Sequence, residues 1–229
     1  RYIDPSGHVS CSDVAEEDCS FDKMSPEEVV KRNIESKFGI TMSEEGDANN
    51  LNPKKWTLDN LRIVWEALNK INVALKGKLK SLVGGATFKW GEHDPGGGTS
   101  TYHGLTYGTT ISFYTIGNAA IREMNIFHEF GHLLDNFMGD AFSRAPGINN
   151  PDFLNDEGGL DRSALIDPSQ DMYQHPISIY SDDPTIAQEE HWADIFANYV
   201  AGNIDLDSPQ GAAMHTFVTG ALAPYIDVP

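Results

Sequence analysis

The chain has 229 residues, 40% of them hydrophobic, and a formal net charge of -18. That length supports one sizeable core or two small lobes. The excess of acid argues against nucleic-acid binding, which needs clustered Lys and Arg, and no apolar run is long enough to cross a membrane.

Residues 1–24 read as a linker or junction, and 25–229 as one domain. Cys11 and Cys19, the only cysteines, lie in a Ser- and Asp-rich stretch without a CxxC pattern. They can close a disulfide in an oxidising compartment or stay as free thiols. Ser25-Pro26-Glu27-Glu28 opens a helix with a capping box, which runs to Phe38 and ends at Gly39. Residues 41–55 are polar and read as loop. Thr57 caps a helix through about Leu75, with Leu58, Leu61, Val64, Trp65, Leu68, Ile71 and Leu75 on one face. Gly85 to Trp90 reads as a strand. Asp94 to Ser100 reads as a flexible connector without the lysine of a phosphate-binding loop, flanked by His93 and His103, which lack ligand spacing. The β-branched and aromatic run Thr106 to Thr115 reads as a second strand. Asn118 is placed to cap a helix from about Ala119 to Met138, with Ile121, Met124, Phe127, Leu134 and Phe137 at helical spacing. Residues 140–183 read as an irregular excursion. Its acids Asp152, Asp156, Glu157, Asp161 and Asp167 lack EF-hand spacing and read as solvated. Pro184 opens another helix with Ile186, Ala193, Phe196, Ala197 and Val200 on its apolar face. A last short helix is expected around Gly211 to Val218, followed by a tail.

The decisive pattern is His128-Glu129-Phe130-Gly131-His132. Histidines four apart on a helix share a face and can hold one zinc ion. Glu129 then stands close enough to take a proton from metal-bound water, the arrangement of zinc metallopeptidases. A catalytic zinc needs three protein ligands and an open position. The metzincin continuation would require glycine and histidine where Asp135 and Met138 stand, so that subclass is excluded. The third ligand is therefore expected on a later helix. Within Glu189 to Val200, Glu190 is the leading candidate, with Glu189 and His191 as rivals. Asp194, one turn beyond Glu190, is placed to accept a hydrogen bond from a ligating histidine.

Two segments, HEFGHLLDNFMG (128–139) and EHWADIFA (190–197), resemble the catalytic domain of anthrax lethal factor and its relatives, a group of gluzincins. The resemblance implies an α+β zincin-like domain in which a small twisted sheet and helices surround a central HExxH helix. It implies His128, His132 and Glu190 as zinc ligands, Glu129 as general base and Asp194 behind a ligand. The family also uses a tyrosine upstream of the third ligand to stabilise the oxyanion. Ser178-Ile179-Tyr180 resembles that element, with Tyr173 and His175 as rivals to Tyr180.

Arg1-Tyr2-Ile3-Asp4-Pro5-Ser6-Gly7-His8 resembles the end of the core domain of RHS-repeat proteins, after which a variable toxin domain commonly follows. With no initiator methionine at Arg1, the expectation is a processed part of a larger exported protein, delivered into a target cell. The expected reaction is hydrolysis of a peptide or protein substrate laid along the 106–115 strand. Two alternatives remain open: a zinc-binding interaction domain without turnover, and a zinc hydrolase of a non-protein amide.

Overall fold

The computed structural model describes residues 24–44, 55–91, 104–114, 121–150, 152, 154, 160–169 and 184–227. The RHS-like segment, both cysteines, the Asp94–Ser100 loop, His93, His103, Asn118, Asp156, Glu157, Tyr173, His175 and Tyr180 lie outside them. The fold is α+β: six helices and a four-stranded mixed sheet among the described residues.

Helix α1 (Pro26–Phe38) begins with the expected capping box: Ser25 Oγ accepts from the Glu28 amide, and Glu28 reaches back to the Ser25 amide. Gly39, at φ 71°, ends it in a left-handed cap. Residues Thr41–Glu44 form strand β1, where a loop was expected. Its polar sequence hid it, because an edge strand with one buried residue, Met42, needs little apolar content. Helix α2 (Leu58–Ala74) is capped by Thr57 and buries Leu61, Val64, Leu68 and Ile71. A short helix α3 (Leu79–Val83) leads to β2 (Thr87–Gly91).

The run expected as one strand is a hairpin, β3 (Gly104–Tyr107) and β4 (Thr110–Tyr114). Gly108 breaks it at φ 56°, a value glycine adopts without cost and two-residue hairpin turns require. The sheet order is β1-β2-β4-β3, with β3 antiparallel and the other neighbours parallel. The edge nearest the motif helix is thus β3, not the whole 106–115 run.

Pairing register decides which side chains meet the helices. Gly104 lies opposite Phe113 and Thr106 opposite Ile111, and directly opposed residues share a face. Ile111, Phe113, Phe88 and Trp90 are all buried. Gly104 and Thr106 therefore face the helices, while Leu105 and Tyr107 face out and are exposed. Trp56 seals this face, its ring centroid 4.8 Å from Trp90 and 6.0 Å from Phe113.

Helix α4 (Glu123–Phe137) carries the motif. It starts later than expected, because Arg122 is still extended at φ -112°, ψ 149° and caps nothing. Helix α5 (Pro184–Ala201) packs against it. Ile186, expected on the apolar face of α5, is exposed instead. Helix α6 (Pro209–Ile226) is longer than expected, because its apolar stripe of Met214, Val218, Leu222 and Ile226 continues past Val218. Between α4 and α5 the described residues contain turns, a 3-10 turn (Arg162–Ala164) and short bridges. There Asp161 and Asp167 accept from the amides of Ser163 and Ser169, so these acids shape turns. Among the described residues no helix is long and apolar enough to cross a membrane.

Gly131 lets α4 and α5 approach. A Cβ there would lie 2.8 Å from Ala193 Cα, a backbone atom that no rotamer change can move. Trp192 fastens the contact by donating its indole N–H to the Gly131 carbonyl at 2.9 Å. Gly131→Ala gains helix propensity of about 1 kcal/mol but overpacks this contact by more. A net loss of about 1–2 kcal/mol is expected in urea unfolding. A variant as stable as the parent would show that the two helices can separate freely.

Candidate metal centre

The site lies where β3, α4 and α5 meet, in a cleft of about 340 Å³. Its lining includes Thr106, Tyr107, His128, Glu129, His132 and Glu190. Helical spacing sets His128 and His132 side by side, their rings crossed at 80°. Their Nε2 atoms are 3.1 Å apart. Glu190 Oε2 lies 3.1 Å from His128 Nε2 and 3.5 Å from His132 Nε2.

These separations suit a shared cation. Donors held about 2.0–2.2 Å from a tetrahedral ion stand about 3.3–3.6 Å from one another. Two imidazole lone pairs and a carboxylate oxygen converging this closely repel unless positive charge lies between them. The trio can therefore hold a metal ion. Glu189 lines the same cleft, but neither it nor His191 joins the trio, so Glu190 is the carboxylate that completes it. Burial pushes the Glu189 carboxyl up, with the His132 imidazole acting in the opposite sense.

Asp194 stands where the sequence places it. Its Oδ1 lies 2.8 Å from His128 Nδ1 in a buried contact. This fixes the tautomer with the proton on Nδ1 and directs the Nε2 lone pair at the site. Burial by itself lowers the His128 pKa, but Asp194 and Glu190 outweigh it and hold the imidazole well above its usual value without a metal. For Glu190 burial acts upward, and the two histidines outweigh it and hold the carboxyl far below its usual range.

Several supporting residues were not singled out from the sequence. Sequence gives Asp135 only a place in the motif; its Oδ1 accepts from the amides of Phe142 at 2.8 Å and Ser143 at 3.1 Å, pinning the chain that leaves α4. Phe142 then stacks on Trp192, centroids 4.3 Å apart. Thr106 Oγ1 lies 2.6 Å from Glu129 Oε2 and 3.0 Å from the Glu129 carbonyl oxygen. Gly104 leaves the space that Glu129 occupies, since a Cβ there would lie 2.6 Å from Glu129 Cγ. The hairpin signal at Tyr107-Gly108-Thr109-Thr110 could have revealed which face Gly104 and Thr106 take. Comparisons with protein-family models, with curated proteins and with solved structures gave no match.

Asp194→Asn should weaken metal binding by about 10–100-fold while leaving the fold intact. Competition with a chromophoric chelator checks this, and an affinity within threefold of the parent would show that Asp194 does not orient His128. Metal uptake should also release protons. The raised His128 proton is present below its elevated folded pKa, and the metal must displace it. Calorimetry at about pH 6.5, the ordinary imidazole value, in buffers of different ionisation enthalpy measures that release. No release would mean that His128 is already neutral there.

Proposed function

We propose that this chain is a zinc-dependent endopeptidase of the gluzincin type. The observation that carries the reading is one cleft combining three convergent donors with Glu129, a carboxylate outside that trio, beneath the edge strand β3. Two imidazoles and one carboxylate match the ligand set of catalytic zinc sites that keep a position open. A purely structural zinc has no use for a neighbouring base.

Zinc held by His128, His132 and Glu190 would supply Lewis acidity, bringing the pKa of a coordinated water toward neutrality and polarising a substrate carbonyl. Glu129 accepts the proton given up by the attacking water and returns it to the leaving amine. Asp194 keeps His128 in the ligating tautomer. The outer edge of β3 has no strand partner among the described residues, and its amides and carbonyls can pair with an extended peptide. Tyr180 remains the candidate donor to the oxyanion by resemblance. The RHS-like N-terminus supports a toxin module that is exported and delivered into a target cell, where a protein would be cut.

Digestion of a mixed library of unmodified peptides tests this reading. Cleavage is expected with zinc and lost with a chelator. Glu129→Gln should keep the metal and lower kcat by about 10²–10⁴-fold. Undiminished cleavage by that variant would remove Glu129 from the mechanism. Tight binding of one partner without cleavage would select an interaction domain, and cleavage of only a non-protein amide a different hydrolase.

A further inference from the structure

We infer that Thr106, on the edge strand β3, is a positioning residue for Glu129, so that the strand offered to the substrate also aims the base. This inference rests on the peptidase reading above and deepens it. Glu129 is 7% exposed and lies on α4, and the groups that hold its carboxylate come from a different element. Strand alternation turns Gly104 and Thr106 toward it from the same face of β3. Gly104 makes room: a Cβ there would lie 3.0 Å from both Glu129 Cδ and Oε1, so the carboxylate rests against bare backbone. Thr106 supplies direction, its hydroxyl lying 2.6 Å from Oε2. That length is typical of a hydroxyl donating to an ionised acceptor. The hydroxyl engages Oε2, leaving Oε1 as the oxygen that Thr106 does not hold.

The hydroxyl has one proton, given to Oε2, so the Glu129 carbonyl oxygen 3.0 Å away is a weaker shared acceptor and not a separate tie. Asn136 supplies the second tie, donating to the Gly108 carbonyl at 3.0 Å. β3 is thereby registered against α4 at its turn and at the base itself. A glutamate side chain has three rotatable bonds, and proton transfer needs it within hydrogen-bond reach of its partner. Restricting the carboxylate to one orientation raises the fraction of bound substrate that reacts, without adding a contact to substrate. Its loss should therefore appear in kcat rather than in KM.

Thr106→Val removes the hydroxyl at nearly constant shape, and Thr106→Ser retains it. In the full chain loaded with zinc, Thr106→Val should lower kcat by about 10–100-fold, with KM and zinc content within about threefold of the parent. Thr106→Ser should recover most of the lost turnover. A purely structural tie would instead lower zinc content or raise KM. A second arm needs no activity: urea midpoints for Thr106→Val alone, Glu129→Ala alone and the pair. Coupled residues give a Thr106→Val shift that is clearly different in the Glu129→Ala background. Unchanged kcat in Thr106→Val, failure of Thr106→Ser to recover, or the same midpoint shift in both backgrounds would overturn the inference. If the parent cleaves no peptide, the peptidase reading and the catalytic part of this inference fall together. The midpoints then decide by themselves whether Thr106 holds Glu129.

Discussion

Everything at the site depends on how closely α4 and α5 approach at Gly131 and Ala193. Glu190 and Asp194 lie one turn apart on α5, flanking Trp192 and Ala193. With Ala193 seated against the bare backbone of Gly131, both carboxylates reach the histidines. Asp194 then meets one nitrogen of His128 and Glu190 the other. The contact is closed by a ring of interactions. Asp135 pins Phe142, Phe142 stacks on Trp192, and Trp192 donates back to Gly131. A glycine inside a helix ordinarily costs about 1 kcal/mol relative to alanine. Here that cost secures a helix contact that alanine would obstruct.

The electrostatic consequence is a largely buried group that needs positive charge. His128 is 3% exposed with a carboxylate at each ring nitrogen. Without a metal the two carboxylates favour a proton on His128, and the two histidines favour an ionised Glu190. A divalent ion meets the same need with more charge and can engage all three donors at once. Metal binding at this trio would therefore be coupled to folding through the same residues. A chain that assembles α4 on α5 has already brought the three donors together, so little ordering would be left for a metal to impose.

Much of this was legible in the sequence because the signals were local. The His128–His132 pair, the Ser25 and Thr57 caps and the stripe on α2 depend on residues three or four apart. That Asp194 would meet one of the two histidines was legible too, once the helical spacing of Glu190 and Asp194 was combined with the chemistry of metal ligands; that the partner is His128 comes from the structure. What stayed hidden was set by tertiary contact. β1 is polar because a sheet edge buries little, so its four residues looked like loop. The 106–115 run concealed a hairpin because its β-branched residues continue on both sides of Gly108. Thr106 and Gly104 carried no signal of their own: their relation to Glu129 arises only when the hairpin fixes which face of β3 meets α4. Helix α4 starts four residues beyond the expected Ala119, since a periodic pattern does not mark where an extended chain turns into helix.

The most direct measurement is anomalous diffraction at the zinc edge from a zinc-soaked crystal. One strong peak is expected about 2.0–2.2 Å from the Nε2 atoms of His128 and His132 and from a carboxylate oxygen of Glu190. Glu129 should stand beside that peak without ligating it. A well-ordered crystal with no peak among those three side chains, or with Glu190 turned away from it, would rule out a metal centre built on them.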